Sequence, residues 1–105
     1  MFRIKQNDTS PALKVILKDA KKRPVNLIGS TVRFHMKSES GRLIVNGLAE
    51  LTDDENGIVT YFWKQGDTDI EGICLGEFEV TYEDKSIETF PNNSYIKIGI
   101  AAELA

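Results

Sequence analysis

The chain has a single cysteine, Cys74, in 105 residues, so it can form neither an internal disulfide nor a thiolate metal cluster. Its single histidine, His35, excludes any site built on several imidazoles. No apolar run approaches the roughly 18 residues that a bilayer-crossing helix needs. The opening residues, Met1 to Asp8, lack the long apolar stretch of a secretory signal. There is no glycine-rich phosphate loop, no G-x-S-x-G elbow and no dinucleotide fingerprint. Excess positive charge is missing too: the net charge is −3 and the pI about 5.1, which argues against a general polyanion binder. No nucleic-acid partner, no membrane association, no cofactor and no metal are therefore expected.

What is present is an ordinary globular composition, 41% apolar and 28% charged, in a chain sized for one domain over residues 1–105. The dominant pattern is alternation with a period of two, the signature of half-buried strands. Leu13, Val15 and Leu17 alternate with Lys14, Ile16 and Lys18. Val32, Phe34 and Met36 alternate with Arg33, His35 and Lys37. Val59, Tyr61 and Trp63 alternate with Thr60, Phe62 and Lys64, and Phe78, Val80 and Tyr82 with Glu77, Glu79 and Thr81. Ile96, Ile98 and Ile100 continue the pattern. Leu43 to Leu51 reads as one more strand, bent or bulged at Asn46-Gly47. Phe2 to Lys5 and Ile87 to Phe90 read as short edge strands. Turn residues punctuate these runs at Lys21 to Pro24, Ser38 to Gly41, Asp53 to Gly57, Glu83 to Ser86 and Pro91 to Ser94, with Asn56-Gly57 the strongest hairpin signal. No window holds a helical apolar stripe; Asp67 to Glu71 is long enough for one helical turn. Seven to eight short strands predict an all-β, immunoglobulin-like antiparallel β-sandwich, with Trp63, Phe34 and Phe78 in its core.

Candidate chemistry is sparse. His35 and Cys74 are the obvious base and nucleophile, and a working pair would need to be within hydrogen-bond reach. The alternation instead sends His35 to solvent and leaves Cys74, between Ile73 and Leu75, as a buried structural residue. Two acidic turns, Asp53-Asp54-Glu55 and Asp67-x-Asp69-x-Glu71, carry oxygen ligands that Ca²⁺ could use, but neither has the length or glycine placement of an EF-hand loop, and short acidic turns are usually solvated or act as caps. The consecutive aromatics Tyr61, Phe62 and Trp63 leave at least one ring facing away from the core. Phe62 is then either an exposed ring, for a subunit interface or a stacked sugar, or a ring covered by a second layer of chain.

Charge divides along the sequence. Met1 to Arg42 carries ten Lys or Arg and three acids, a balance of +7; Leu43 to Ala105 carries three bases and thirteen acids, a balance of −10. Either the two halves interleave in space and neutralise each other, or the module is dipolar and stacks basic face on acidic face.

A resemblance spans nearly the whole chain. Phe2-x-Ile4-x-Gln6-x-Asp8-Thr9, Leu13 to Asp19, and Pro24-Val25-Asn26-Leu27-x-Gly29-x-Thr31-Val32-x-Phe34 open it. Gly57-x-Val59-x-Tyr61-x-Trp63, Gly66-Asp67-Thr68-x-x-x-Gly72, Glu77 to Tyr82 and Glu88-Thr89-Phe90-Pro91-Asn92, with Tyr95, continue it. This pattern resembles the N-terminal domain of the phage baseplate upper protein family and related small phage or prophage tail proteins. These are turn and core motifs. Where the family often has Gly-x-Tyr, this chain has Gly72-Ile73-Cys74, without the tyrosine; and Asp84-Lys85 stands where an Asp-Gly turn would be expected. The resemblance implies a non-enzymatic structural component of a phage or prophage tail, made in the host cytoplasm and held in the virion by contacts with other tail or baseplate proteins or with its own copies. A carbohydrate- or receptor-binding sandwich on the same particle is the alternative, seeded by an exposed Phe62 or Tyr95. Phe62, Tyr95, Phe2 and Phe90 are the candidate interface residues, the last two because their short edge strands could pair across a contact.

Overall fold

Residues that alternate in the sequence do so because each strand has one face on a shared core. The computed structural model describes every residue from Met1 to Ala105, with nine strands and no helix. They are β1 (Phe2–Lys5), β2 (Leu13–Ile16), β3 (Thr31–Ser38), β4 (Leu43–Leu48), β5 (Glu50–Asp53), β6 (Ile58–Tyr61), β7 (Gly72–Thr81), β8 (Ile87–Phe90) and β9 (Ile96–Ala101). The large sheet runs β1-β9-β7-β3-β4, and β8 adds to β7; the small sheet runs β2-β6-β5. The two pack face to face as an immunoglobulin-like β-sandwich. The pairs are antiparallel, as the alternation predicts, except β1 with β9, which is parallel.

The core is made of the inward-facing sets. Val32, Phe34 and Met36 of β3, Cys74, Phe78 and Val80 of β7, and Ile98 and Ile100 of β9 face Leu13, Val59 and Tyr61 of the small sheet, with Trp63 just beyond β6. Phe34 stacks at 4.8 Å on Tyr61 and 5.0 Å on Phe78, and meets Trp63 edge-on at 5.8 Å. Tilted and edge-on geometries of this kind suit the ring quadrupoles.

Three boundaries differ from the sequence reading. Leu43 to Leu51 is two strands, because the chain changes sheets at Ala49, whose amide still donates to the Val32 carbonyl at 2.9 Å. Gly47 is not a bulge but a close approach: a methyl group there would sit 3.2 Å from Tyr61 Cε1. Asp67 to Glu71 is a turn followed by a bend at Ile70, without a helical turn.

The hairpins fall where the turn residues put them. Gly57 closes β5 to β6 with φ +70°, and a methyl group there would lie 2.8 Å from the backbone oxygens of both Leu17 and Val25. Gly41, in the β3–β4 hairpin, has φ +87° but nothing nearby. Gly41→Ala should therefore cost about 1–2 kcal/mol, the left-handed backbone penalty alone. Gly57→Ala adds an unyielding backbone clash, worth about 1–3 kcal/mol more. Urea melts of the two variants check the ranking; equal losses would contradict it. In the β7–β8 hairpin Lys85 takes the left-handed position (φ +75°) that a glycine would otherwise hold.

The sheet order also decides between the two charge readings. In the large sheet β1 and β3, from the basic half of the chain, are intermixed with β9, β7 and β4 from the acidic half, and in the small sheet β2 from the basic half pairs with β6 from the acidic half. The halves interleave, so a module with one basic and one acidic face is not what the topology builds.

Candidate functional site

The sheet itself separates His35 from Cys74. Cys74 points into the core and is 1% exposed, and burial pushes its thiol pKa up, with the Glu39 charge adding to the effect. A thiol held protonated is a poor nucleophile. His35 lies on the opposite, outer face of the large sheet. It is half-buried rather than free in solvent, and its Nδ1 is 3.3 Å from Glu77 Oε2.

The acidic turns are used as caps. Asp67 Oδ2 accepts from the Tyr61 hydroxyl at 2.6 Å and from the Lys64 amide at 2.9 Å, and the Thr68 hydroxyl donates to the Asp8 carbonyl at 2.8 Å. Asp53 accepts from the Asn56 side chain at 3.0 Å. Nowhere do three or more His, Cys, Asp or Glu side chains converge as metal ligands would. Two phenols are paired with carboxylates: the Tyr61 hydroxyl donates to Asp67, and the Tyr82 hydroxyl donates to Glu88 at 2.6 Å.

The four candidate interface aromatics do not form one surface. Phe62 is 52% exposed on the outer face of the small sheet, so its ring is not covered by a second layer. Tyr95 is 59% exposed at the start of β9. Phe2 is half-buried, its ring 5.9 Å from Trp63. Phe90 is a correction: at 3% exposed it belongs to the core, because its register opposite Phe78 turns it to the same inward face. It cannot serve as a surface contact.

The structure instead assembles a polar row that sequence reasoning missed. Across the outer face of the large sheet, Asn46 of β4 stands opposite His35 of β3, which stands opposite Glu77 of β7. Tyr95, one residue before the Ile96–Gly76 pair, completes the row beside Glu77. β8 and β9 lie end to end along the same side of β7, and Pro91 to Tyr95 interrupts them opposite Glu77. That interruption leaves two adjoining concavities. One, of about 310 Å³, involves His35, Lys37, Glu39, Glu77 and Tyr95; the other, of about 360 Å³, lies between Glu77, Thr89, Tyr95 and the 91–94 loop.

Open strand edges are the remaining feature. β1, β4 and β8 border the large sheet, and β2 and β5 border the small one. Beside β2 an apolar groove of about 180 Å³ runs between Val15 and Leu17 on one side and Phe90, Pro91 and Ile96 on the other. No helix is long and apolar enough to cross a membrane.

Fold and surface together define an immunoglobulin-like β-sandwich with open edges. Its overall course is similar to that in the crystal structure of CopC from Methylosinus trichosporium OB3b, with a TM-score of 0.58 over 99% of this chain and 86% of that one. At 14% sequence identity this likeness concerns the fold alone. No protein-family model matches the chain, and no curated protein matches it in sequence.

Proposed function

We propose that this chain is a structural module of a phage or prophage tail, of the baseplate type, that acts through contacts with neighbouring tail proteins and carries out no catalysis. The reading rests on the run of residues from Phe2 to Ile100 that resembles the baseplate upper protein N-terminal domain. Those residues have definite work in the sandwich: Gly57 closes a hairpin, Asp67 caps a turn, and Phe78 and Phe90 face each other in the core. The open edges give such a module a means of contact. A strand of a partner added to an exposed edge satisfies backbone donors and acceptors that water otherwise serves.

In this reading the protein is made in the host cytoplasm and ends in the virion tail. Its single buried thiol suits a reducing compartment. Co-expression of the tagged chain with the products of the adjacent genes tests the proposal. A stoichiometric complex with one of them, stable in moderate salt, is expected. Failure to retain any neighbour, with light scattering showing a monomer at every concentration and ionic strength, would overturn it.

A further inference from the structure

The outer-face row around Tyr95 has the composition of a ligand site rather than of a bare sheet surface. A half-exposed aromatic ring stands beside a carboxylate, Glu77, that is itself anchored by His35 at 3.3 Å. The two adjoining concavities share Glu77 and Tyr95 and together exceed the lower size of small-molecule sites, roughly 300 Å³. The loop that walls them is fixed from within, since the Asn92 side-chain amide donates to the Thr89 carbonyl at 2.8 Å and to Glu88 at 3.2 Å. A wall held in this way presents its remaining groups, Asn93 among them, without a further ordering cost.

The charge balance narrows the ligand. Lys37, Glu39 and Glu77 line the same hollow, a formal balance of −1, so an anion finds no matching field and the Lys37 ammonium opposes a cation. Acceptor oxygens, amide donors and one flat apolar ring suit a neutral molecule with hydroxyl groups around its rim and an apolar C–H face. We propose that the hollow between Tyr95, Glu77 and His35 binds a neutral sugar ring, with Tyr95 as the stacking platform and Glu77 accepting from sugar hydroxyls. The Glu77–His35 contact holds the carboxylate in place. Phe62, the other exposed ring, stands on the opposite outer face and lines neither of these two hollows. This site stands on the outer-face geometry and not on the tail resemblance, so its failure would leave the assembly reading where it is.

The test is a two-dimensional amide NMR titration of the full chain with the methyl glycosides of glucose, galactose, rhamnose and N-acetylglucosamine. Saturable shifts at His35, Glu77 and residues 92–95 are expected with at least one of them. Tyr95→Ala should weaken that binding by about tenfold or more, the equivalent of 1.4 kcal/mol. Glu77→Gln should also weaken it, Tyr95→Phe should keep it, and Phe62→Ala should leave it unchanged. Tyr95 is exposed, so the variant spectra should retain their dispersion and report binding rather than unfolding. No saturable shift with any glycoside overturns the proposal. So do shifts at these residues produced only by a co-expressed tail protein, which would make the hollow a protein contact.

Discussion

Phe34→Ala should cost about 3–5 kcal/mol of stability, the range for deleting a fully buried large aromatic. Phe34 is 0% exposed and touches Tyr61, Phe78 and Trp63, so its removal opens a void between the two sheets that three other rings cannot all close. Domains of this size hold only about 5–15 kcal/mol in total, so the variant should unfold at a much lower urea midpoint with an unchanged slope. Gly76 supplies an internal check. A methyl group at Gly76 would sit 2.8 Å from Phe34 Cε1 and 2.8 Å from Ile98 Cδ1, so Gly76→Ala alone should cost about 1–3 kcal/mol by overpacking. In the Phe34→Ala background the same change enters the new void and should cost less, a coupling that independent sites do not show. A loss below about 1 kcal/mol for Phe34→Ala would contradict the packing described.

Stability should also fall steeply in alkali, because two tyrosines are held protonated in the native state. Burial is the main cause at Tyr61, reinforced by its hydrogen bond to Asp67 and by that carboxylate's charge; at Tyr82 burial again leads, with Glu88 in the partner's place. Both phenols are pushed well above the ordinary value of about 10. The unfolded chain releases these protons as pH passes about 10 while the folded chain keeps them, so the native state binds more protons and loses stability as pH rises. Below about pH 9 the contribution is complete; above about 10 each tyrosine can remove up to about 1.4 kcal/mol per pH unit. The effect should be larger for Tyr61, which is 1% exposed, than for the half-buried Tyr82. Urea melts across this range check the slope. A Tyr61→Phe/Tyr82→Phe chain should be weaker at neutral pH, through two lost hydrogen bonds of about 1 kcal/mol each, yet flatter in alkali. An unchanged alkaline slope in that chain would contradict the account.

The sandwich was legible where a strand is long enough to show its period. Val32-Phe34-Met36 and Phe78-Val80 repeat the core face often enough to fix it. Phe90 was not legible, because β8 has only four residues and nothing in Ile87-Glu88-Thr89-Phe90 says which side is inward; the register opposite Phe78 decides it. Nor was the sheet change at Ala49, a residue with no turn chemistry. The neighbouring Gly47, which looked like the break, is small because Tyr61 packs on it. The parallel pairing of β1 with β9 joins the two ends of the chain, and no local pattern encodes it. The row of Asn46, His35, Glu77 and Tyr95 was invisible for the same reason: four ordinary residues become neighbours only through the register of three strand pairs. His35 looked solvated because its cross-strand partner could not be read from its own strand. The turn at Asp67, by contrast, was readable, because short acidic turns are usually solvated or act as caps, and Asp67 accepts from the Lys64 amide.

The proposed role in a tail makes one demand that a free-standing binding domain would not meet. Mass spectrometry of tail particles purified from the host that carries this gene asks whether the chain is a built-in component. The account predicts that peptides spanning the sandwich co-sediment with the tail structural proteins in a fixed ratio and survive high-salt washing. Intact tails without this chain, from a host that expresses it, would contradict the account.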